Sequence, residues 1–155
     1  MNRSYLCVIT LVVLCLAVTG TALAQPGTAS SIPKAGLVQP ADLVKTLQGN
    51  GAKPVILQIG PHSLFAQAHI PGSEYVGGAS TPEGLEKLRT RVKTLKKDAA
   101  IVLYCGCCPW EHCPNVAPAY NELQKLGFRN AKVLYIANNF GADWVYKGYP
   151  TAKGD

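Results

Sequence analysis

Four cysteines fall between residues 105 and 113: Cys105, Cys107, Cys108 and Cys113. A thiol attacks sulfur or binds a metal as its thiolate, so its surroundings decide whether it does chemistry. Directly before the group lies the apolar run of residues 100–104, and after it an amphipathic helix is predicted from about residue 116 to 126. The thiols therefore stand where a buried strand hands over to a helix N-terminus. Backbone N–H groups and the positive end of the helix dipole converge there and favour anions. Cys105 and Cys108 have the C-x-x-C spacing of redox and metal pairs. Cys113, with His112 beside it, would complete a four-cysteine site for zinc or copper(I). Most structural zinc sites, however, draw on two separated pairs rather than one loop. A Cys107–Cys108 disulfide is disfavoured, because adjacent Cα atoms lie ~3.8 Å apart, below the usual range for a bridge. The absence of C-x-x-C-H argues against a c-type haem, and no cofactor is expected.

Cys7 and Cys15 belong to a different segment. Arg3, the apolar run of residues 6–18 and Ala22-Leu23-Ala24 have the layout of a secretory signal peptide, residues 1–24, cleaved before Gln25. That apolar run is shorter than the ~20 residues of a spanning helix. The expected location is periplasmic or secreted, with no membrane attachment after cleavage. Every remaining cysteine then lies in one loop. Such a group cannot staple distant parts of the chain as the disulfides of small secreted domains do. Removing Arg3 takes the formal charge from +6 to +5. Much of it sits in Lys87, Arg89, Arg91, Lys93, Lys96 and Lys97, opposite Leu85, Leu88, Val92 and Leu95. That is one solvated helix face, and without aromatic platforms or a known module it does not indicate nucleic-acid binding.

The elements that must hold the loop follow from apolar runs and breakers. Residues 25–36, rich in Pro, Ser, Gly and Ala, read as a flexible lead-in, and residues 37–155 as one domain. Strands are predicted at 37–38, 54–59, 74–76, 100–104 and 132–136. Helices are predicted at 40–48, at 62–68 as a short helix or turn, from Pro82 along the basic stretch, at 116–126 and at 141–147. Thr81 reads as an N-cap with Pro82 at the first helical position, and Gly127 as a C-terminal stop. Short apolar strands alternating with helices imply an α/β fold, mainly a parallel sheet with helices on both faces. Sites in such sheets form beyond the carboxyl ends of the strands, where Cys105 falls. His69 reads as a structural hydrogen-bonding residue and Trp144 as core.

Three segments resemble one family, the rhodanese-like domains. Ala68-His69-Ile70-Pro71-Gly72-Ser73 is similar to the family's GHIPGA segment. Tyr104-Cys105 is similar to the step that carries the catalytic cysteine. Phe140-Gly141-Ala142-Asp143-Trp144 with Gly148-Tyr149-Pro150 resembles the C-terminal segment. The resemblance implies a five-stranded parallel sheet and a sulfurtransferase that carries sulfane sulfur as a cysteine persulfide. A small sulfur donor and a thiol or protein acceptor would be its partners, and a monomer is expected. Cys105 matches the nucleophile by position, and Cys108 is the alternative because the loop is longer than the family's. Cys107 and Cys113 would be resolving thiols, and His112 an acid or base. Gly106, Trp110 and Glu111 are the expected substrate-binding positions, with Trp110 shielding the loop. From Cys105 to Tyr120 there is no Arg or Lys and the one charge is Glu111, so thiosulfate is expected to be a poor donor. The alternative function is a metal-handling module or a thiol–disulfide oxidoreductase on the same four cysteines.

Overall fold

A computed structural model describes residues 29–154. The expected signal peptide lies outside the described residues, as does Asp155. Among the described residues no helix is long and apolar enough to cross a membrane.

Five parallel strands form one sheet in the order β1-β5-β4-β2-β3. They are β1 (Leu37–Val38), β2 (Val55–Gln58), β3 (Glu74–Tyr75), β4 (Ile101–Tyr104) and β5 (Ala131–Leu134). The helices are α1 (Pro40–Gln48), α2 (His62–Gln67), α3 (Pro82–Val92), α4 (Val116–Lys125) and α5 (Phe140–Asp143). β4 is central, paired along its length with β2 and β5. All four of its residues are buried, which is why it reads as a continuous apolar run and not an alternating one.

Strand parity divides the core into two layers. Ile101, Leu103, Leu57, Ile59 and Val133 face one side and pack with Leu88 and Val92 of α3 and Ala119 and Leu123 of α4. Val102, Tyr104, Ile56 and Leu134 face the other, against Leu43 and Val44 of α1, Ile70, Phe140 and Trp144. Cys105 continues the parity of Ile101 and Leu103, so its thiol is delivered to the layer containing α4.

The caps follow the sequence. Thr81 Oγ1 accepts the Gly84 N–H at 3.1 Å, with Pro82 at the start of α3. Three expectations differ from the structure. Residues 29–36 form two 3₁₀ turns, and Ala29 and Ile32 are buried against the α3–α4 layer. Their small and Pro-rich composition masked two apolar anchors. The basic helix stops at Val92, where the Leu95 N–H bonds back to the Val92 carbonyl and tightens the chain into a turn. The final helix is broken at Trp144, whose backbone leaves helical space at φ −128°, and resumes as a 3₁₀ turn at Val145–Lys147. Trp144 is fully buried and its Nε1–H donates to the Pro150 carbonyl at 2.8 Å.

Candidate functional site: a thiol cluster between strand and helix

The backbone beyond β4 makes a sharp turn at Gly106. Its φ of +74° is left-handed, and a Cβ there would lie 2.6 Å from Cβ of Phe140. The Gly106 carbonyl accepts the Phe140 N–H at 3.0 Å. Glycine is thus required twice, for the dihedral and for the close approach. The loop then runs through Cys107 and Cys108 to a 3₁₀ turn at Trp110–His112 before entering α4.

This path gathers three sulfurs. The Sγ atoms of Cys105, Cys107 and Cys113 all lie within 4.8 Å of one another. Cys105 donates to Cys107 at 3.2 Å, and Cys107 lies 3.2 Å from Cys108. Cys108 is outside the trio, with its thiol directed to the His112 carbonyl at 3.5 Å. Cys105 and Cys113 are buried, Cys107 and Cys108 half-buried, and all four are free thiols. The three clustered sulfurs also have the spacing to ligate a single soft ion, with Cys108 left out of that set.

The trio is built to hold a negative charge. Cys113 receives hydrogen bonds from Cys105 and Cys107, and the backbone N–H groups of Asn115 and Val116 add to them. Against the cost of burial, these contacts hold Cys113 far below the ordinary thiol value. Those N–H groups belong to the first turn of α4, whose N-cap Asn115 makes no side-chain cap. A sulfur therefore satisfies helix-end donors that a side-chain oxygen ordinarily takes. Cys105 gains from its bond with Cys107, but its bond to Cys113, burial and the charge on Cys113 outweigh that gain and push it up to about 12. Cys107 is also raised, first by its bond with Cys105 and next by that with Cys113. Burial, followed by the bond with Cys107, pushes Cys108 up to about 12. The sequence placed all four thiols near the helix N-terminus; the structure gives the helix N–H groups to Cys113 and not to Cys105 at the strand end.

Two amides that sequence reading missed complete the wall around Cys105. Asn115 is 4 % exposed, and its Nδ2 donates to the Cys105 sulfur at 3.4 Å while its Oδ1 accepts the Ser80 N–H at 2.9 Å. Asn115 and Cys105 are ten positions apart on different elements, and no local spacing in the sequence marks them as partners. Gln58, 1 % exposed, uses Oε1 to accept the Gly60 N–H at 3.2 Å, and its Nε2 has no hydrogen-bond partner among the described residues. A Cβ at Gly60 would lie 2.7 Å from the Cys105 sulfur and 3.0 Å from Gln58 Nε2. The orphaned donor and the thiol thus face the same small space. Buried donors of this kind are uncommon, and each calls for a reason.

The other expected residues divide. Gly106 shapes the turn. Trp110 is buried, its ring centroid 5.0 Å from that of Tyr135 and its N–H bonded to the Ala137 carbonyl at 3.0 Å. It anchors the loop to the core beneath it. Glu111 and His112 are exposed on the 3₁₀ turn, and His112 meets the cluster through its backbone carbonyl. His69 is structural: Nδ1 lies 2.9 Å from the Phe65 carbonyl and the ring stacks on Phe65.

The profile of the Rhodanese-like domain family matches residues 39–137, including the loop and most of the sheet. Among solved structures, the chain is similar to the BH2092 protein from Bacillus halodurans, with 20% identity, TM-score 0.58 and 75% of each chain covered. It is also similar to the Alr3790 protein from Anabaena sp., with 22% identity and TM-score 0.59 over 76% of this chain and 92% of that one. A solution structure of the rhodanese-like domain of the Anabaena protein aligns at 22% identity and TM-score 0.57, covering 76% of this chain and 79% of that one. No curated protein matches in sequence.

Proposed function

The chain belongs to the rhodanese-like domain family, and from that premise we propose that it is a sulfurtransferase carrying sulfane sulfur as a persulfide on Cys105. The observation that carries this reading is the surrounding of the Cys105 sulfur. It immediately follows the central strand, accepts a hydrogen bond from buried Asn115, and shares a small space with Gln58 Nε2, which has no partner among the described residues. A persulfide adds one sulfur beyond the thiol, and in its anionic form that sulfur accepts hydrogen bonds. An orphaned amide beside the site is the group such an anion needs. The Cys105 thiol donates to the Cys107 sulfur at 3.2 Å, and its proton leaves along that hydrogen bond as the new S–S bond forms.

Sulfur moves by displacement. A thiolate attacks the outer sulfur of the donor, the donor's S–S bond breaks, and its inner sulfur leaves as a thiolate. The reaction is redox-neutral and ends when an acceptor thiol removes the outer sulfur from Cys105. The acceptor is a small thiol or a protein thiol, and the protein acts as an exported monomer that starts at Gln25.

Intact mass spectrometry of the chain expressed from Met1 tests both parts together. After exposure to a low-molecular-weight persulfide, the wild-type protein should gain sulfur that a thiol removes, and Cys105→Ser should transfer none to an acceptor. The unloaded mass should correspond to a chain beginning at Gln25. Full transfer by Cys105→Ser, or a tightly bound metal in place of sulfur uptake, would overturn the assignment.

A further inference from the structure

Cys105 is 3 % exposed, so a donor in solution has to meet another sulfur first. A cavity of about 530 Å³ opens beside the loop, and Cys107 is the one thiol in its lining. Phe140, Leu64 and Tyr146 contribute apolar wall, Gln67 and Asn139 contribute polar wall, and Tyr146 is 86 % exposed at the rim. Lys153 is the single charged residue of the lining. It comes from neither the loop nor a helix. Residues 151–154 turn back over α2, where His69 and Ala152 exchange backbone hydrogen bonds of 3.0 and 2.9 Å and the Gly154 N–H donates to the Ala66 carbonyl at 2.9 Å. These bonds fix the backbone on both sides of Lys153. The cation missing from the cysteine loop is thus supplied by the C-terminal segment.

We propose that this cavity is the donor site, that Cys107 is the thiol that receives sulfur, and that Lys153 selects small organic persulfides carrying a carboxylate. The proposal rests on the persulfide function above and names its substrate class. The volume lies within the range of small-molecule pockets and exceeds what a bare inorganic anion fills. The apolar part of the wall accommodates a short carbon skeleton, and a lone ammonium orients a lone carboxylate as a point charge.

The steps balance without an oxidant. The Cys107 sulfur attacks the outer sulfur of R–S–SH; the new S–S bond forms, the donor S–S bond breaks, and the Cys107 proton passes to the departing inner sulfur, so that RSH leaves. Cys105, whose thiol donates to the Cys107 sulfur at 3.2 Å, then attacks the outer sulfur and passes its proton along that hydrogen bond. The bond from Cys107 to the outer sulfur breaks, and Cys107 leaves as a thiol. Sulfur moves inward by one thiol.

The test uses two probes, the persulfide of mercaptoacetate and that of its neutral amide, with loading followed by mass spectrometry. Lys153→Ala should raise the half-saturating concentration of the carboxylate probe about five- to tenfold, leave the amide probe unchanged, and be rescued by Lys153→Arg. Cys107→Ser should lose loading from both probes. Cys105→Ser should trap sulfur on Cys107, located by peptide mapping. Equal effects of Lys153→Ala on the two probes, or loading of Cys105 at the wild-type rate in Cys107→Ser, would overturn the donor site and leave the persulfide function standing. Failure of the wild-type protein to take up sulfur from either probe would overturn both.

Discussion

Among the loop thiols, Cys113 is the one favoured as a thiolate, because α4 begins three residues later and the N–H groups of Asn115 and Val116 face its sulfur. The same residue type at Cys108, five positions earlier, faces a carbonyl instead and stays protonated. Thiolate chemistry here is set by which sulfur meets donors and which meets acceptors, and four cysteines in a row of letters do not carry that information. The consequence for pH has a definite sign. The folded value of Cys113 lies below that of an unfolded thiol, about 8.5. Its ionisation therefore contributes stability in full above that pH, and the contribution is lost as pH falls toward the folded value. Cys105 and Cys108 act in the opposite sense, because their folded values are raised. They contribute below the unfolded value and lose that contribution as pH rises toward about 12. The wild-type protein should show thiolate ultraviolet absorbance at neutral pH, and Cys113→Ser should abolish it. It should also flatten the rise of melting temperature with pH on the acid side of the unfolded thiol value. An unchanged absorbance in that variant would place the charge on another sulfur.

The strand and helix that frame the site were legible because each carries a local signal. β4 is an unbroken apolar run, and α4 follows a proline-rich entrance and ends before Gly127. The parity of β4 even fixes the layer into which Cys105 points. What joins them was not legible. The turn at Gly106 is dictated by Phe140, a residue 34 positions away, and the Gln58 and Asn115 amides reach Cys105 only after the sheet has formed. Lys153 likewise reaches the loop's cavity through backbone bonds to α2 that leave no periodic trace. The Gly106 turn gives a direct test at this scale. Gly106→Ala combines a positive φ with a Cβ placed 2.6 Å from Phe140 Cβ. It should cost on the order of 1–3 kcal/mol and displace Cys107 from Cys105. Urea denaturation would read the first effect and sulfur loading the second. A variant with wild-type stability and loading would show that the turn is not fixed by these contacts.

Across the whole molecule, the basic helix face foreseen as solvated is partly occupied in holding layers together. Arg89 bonds Glu122 of α4 at 2.7 Å, and Arg91 pairs with Glu74 of β3, so α3 is tied both to the helix whose first turn faces Cys113 and to the edge of the sheet. Lys97, beyond the helix end, lies 4.2 Å from the centre of the Phe128 ring. Spacing along one helix shows that these residues share a face and does not show what stands opposite, so the clamp has no local signal. The hydrogen bond from Arg89 holds the Glu122 carboxyl below its usual range, and that from Arg91 does the same for Glu74. A depressed carboxyl contributes stability above its unfolded value, and the contribution disappears as pH falls through the folded value. The Glu122 side chain is only 12 % exposed and that of Glu74 is 45 % exposed, so salt screens the second pair more than the first. Glu122→Gln should therefore lower the melting temperature at neutral pH. The difference from wild type should shrink as pH falls below the usual carboxylate range and should persist in high salt. Glu74→Gln should give a smaller loss that salt largely removes. Equal, salt-insensitive losses in the two variants, read by thermal unfolding across pH and ionic strength, would show that exposure does not rank the two pairs.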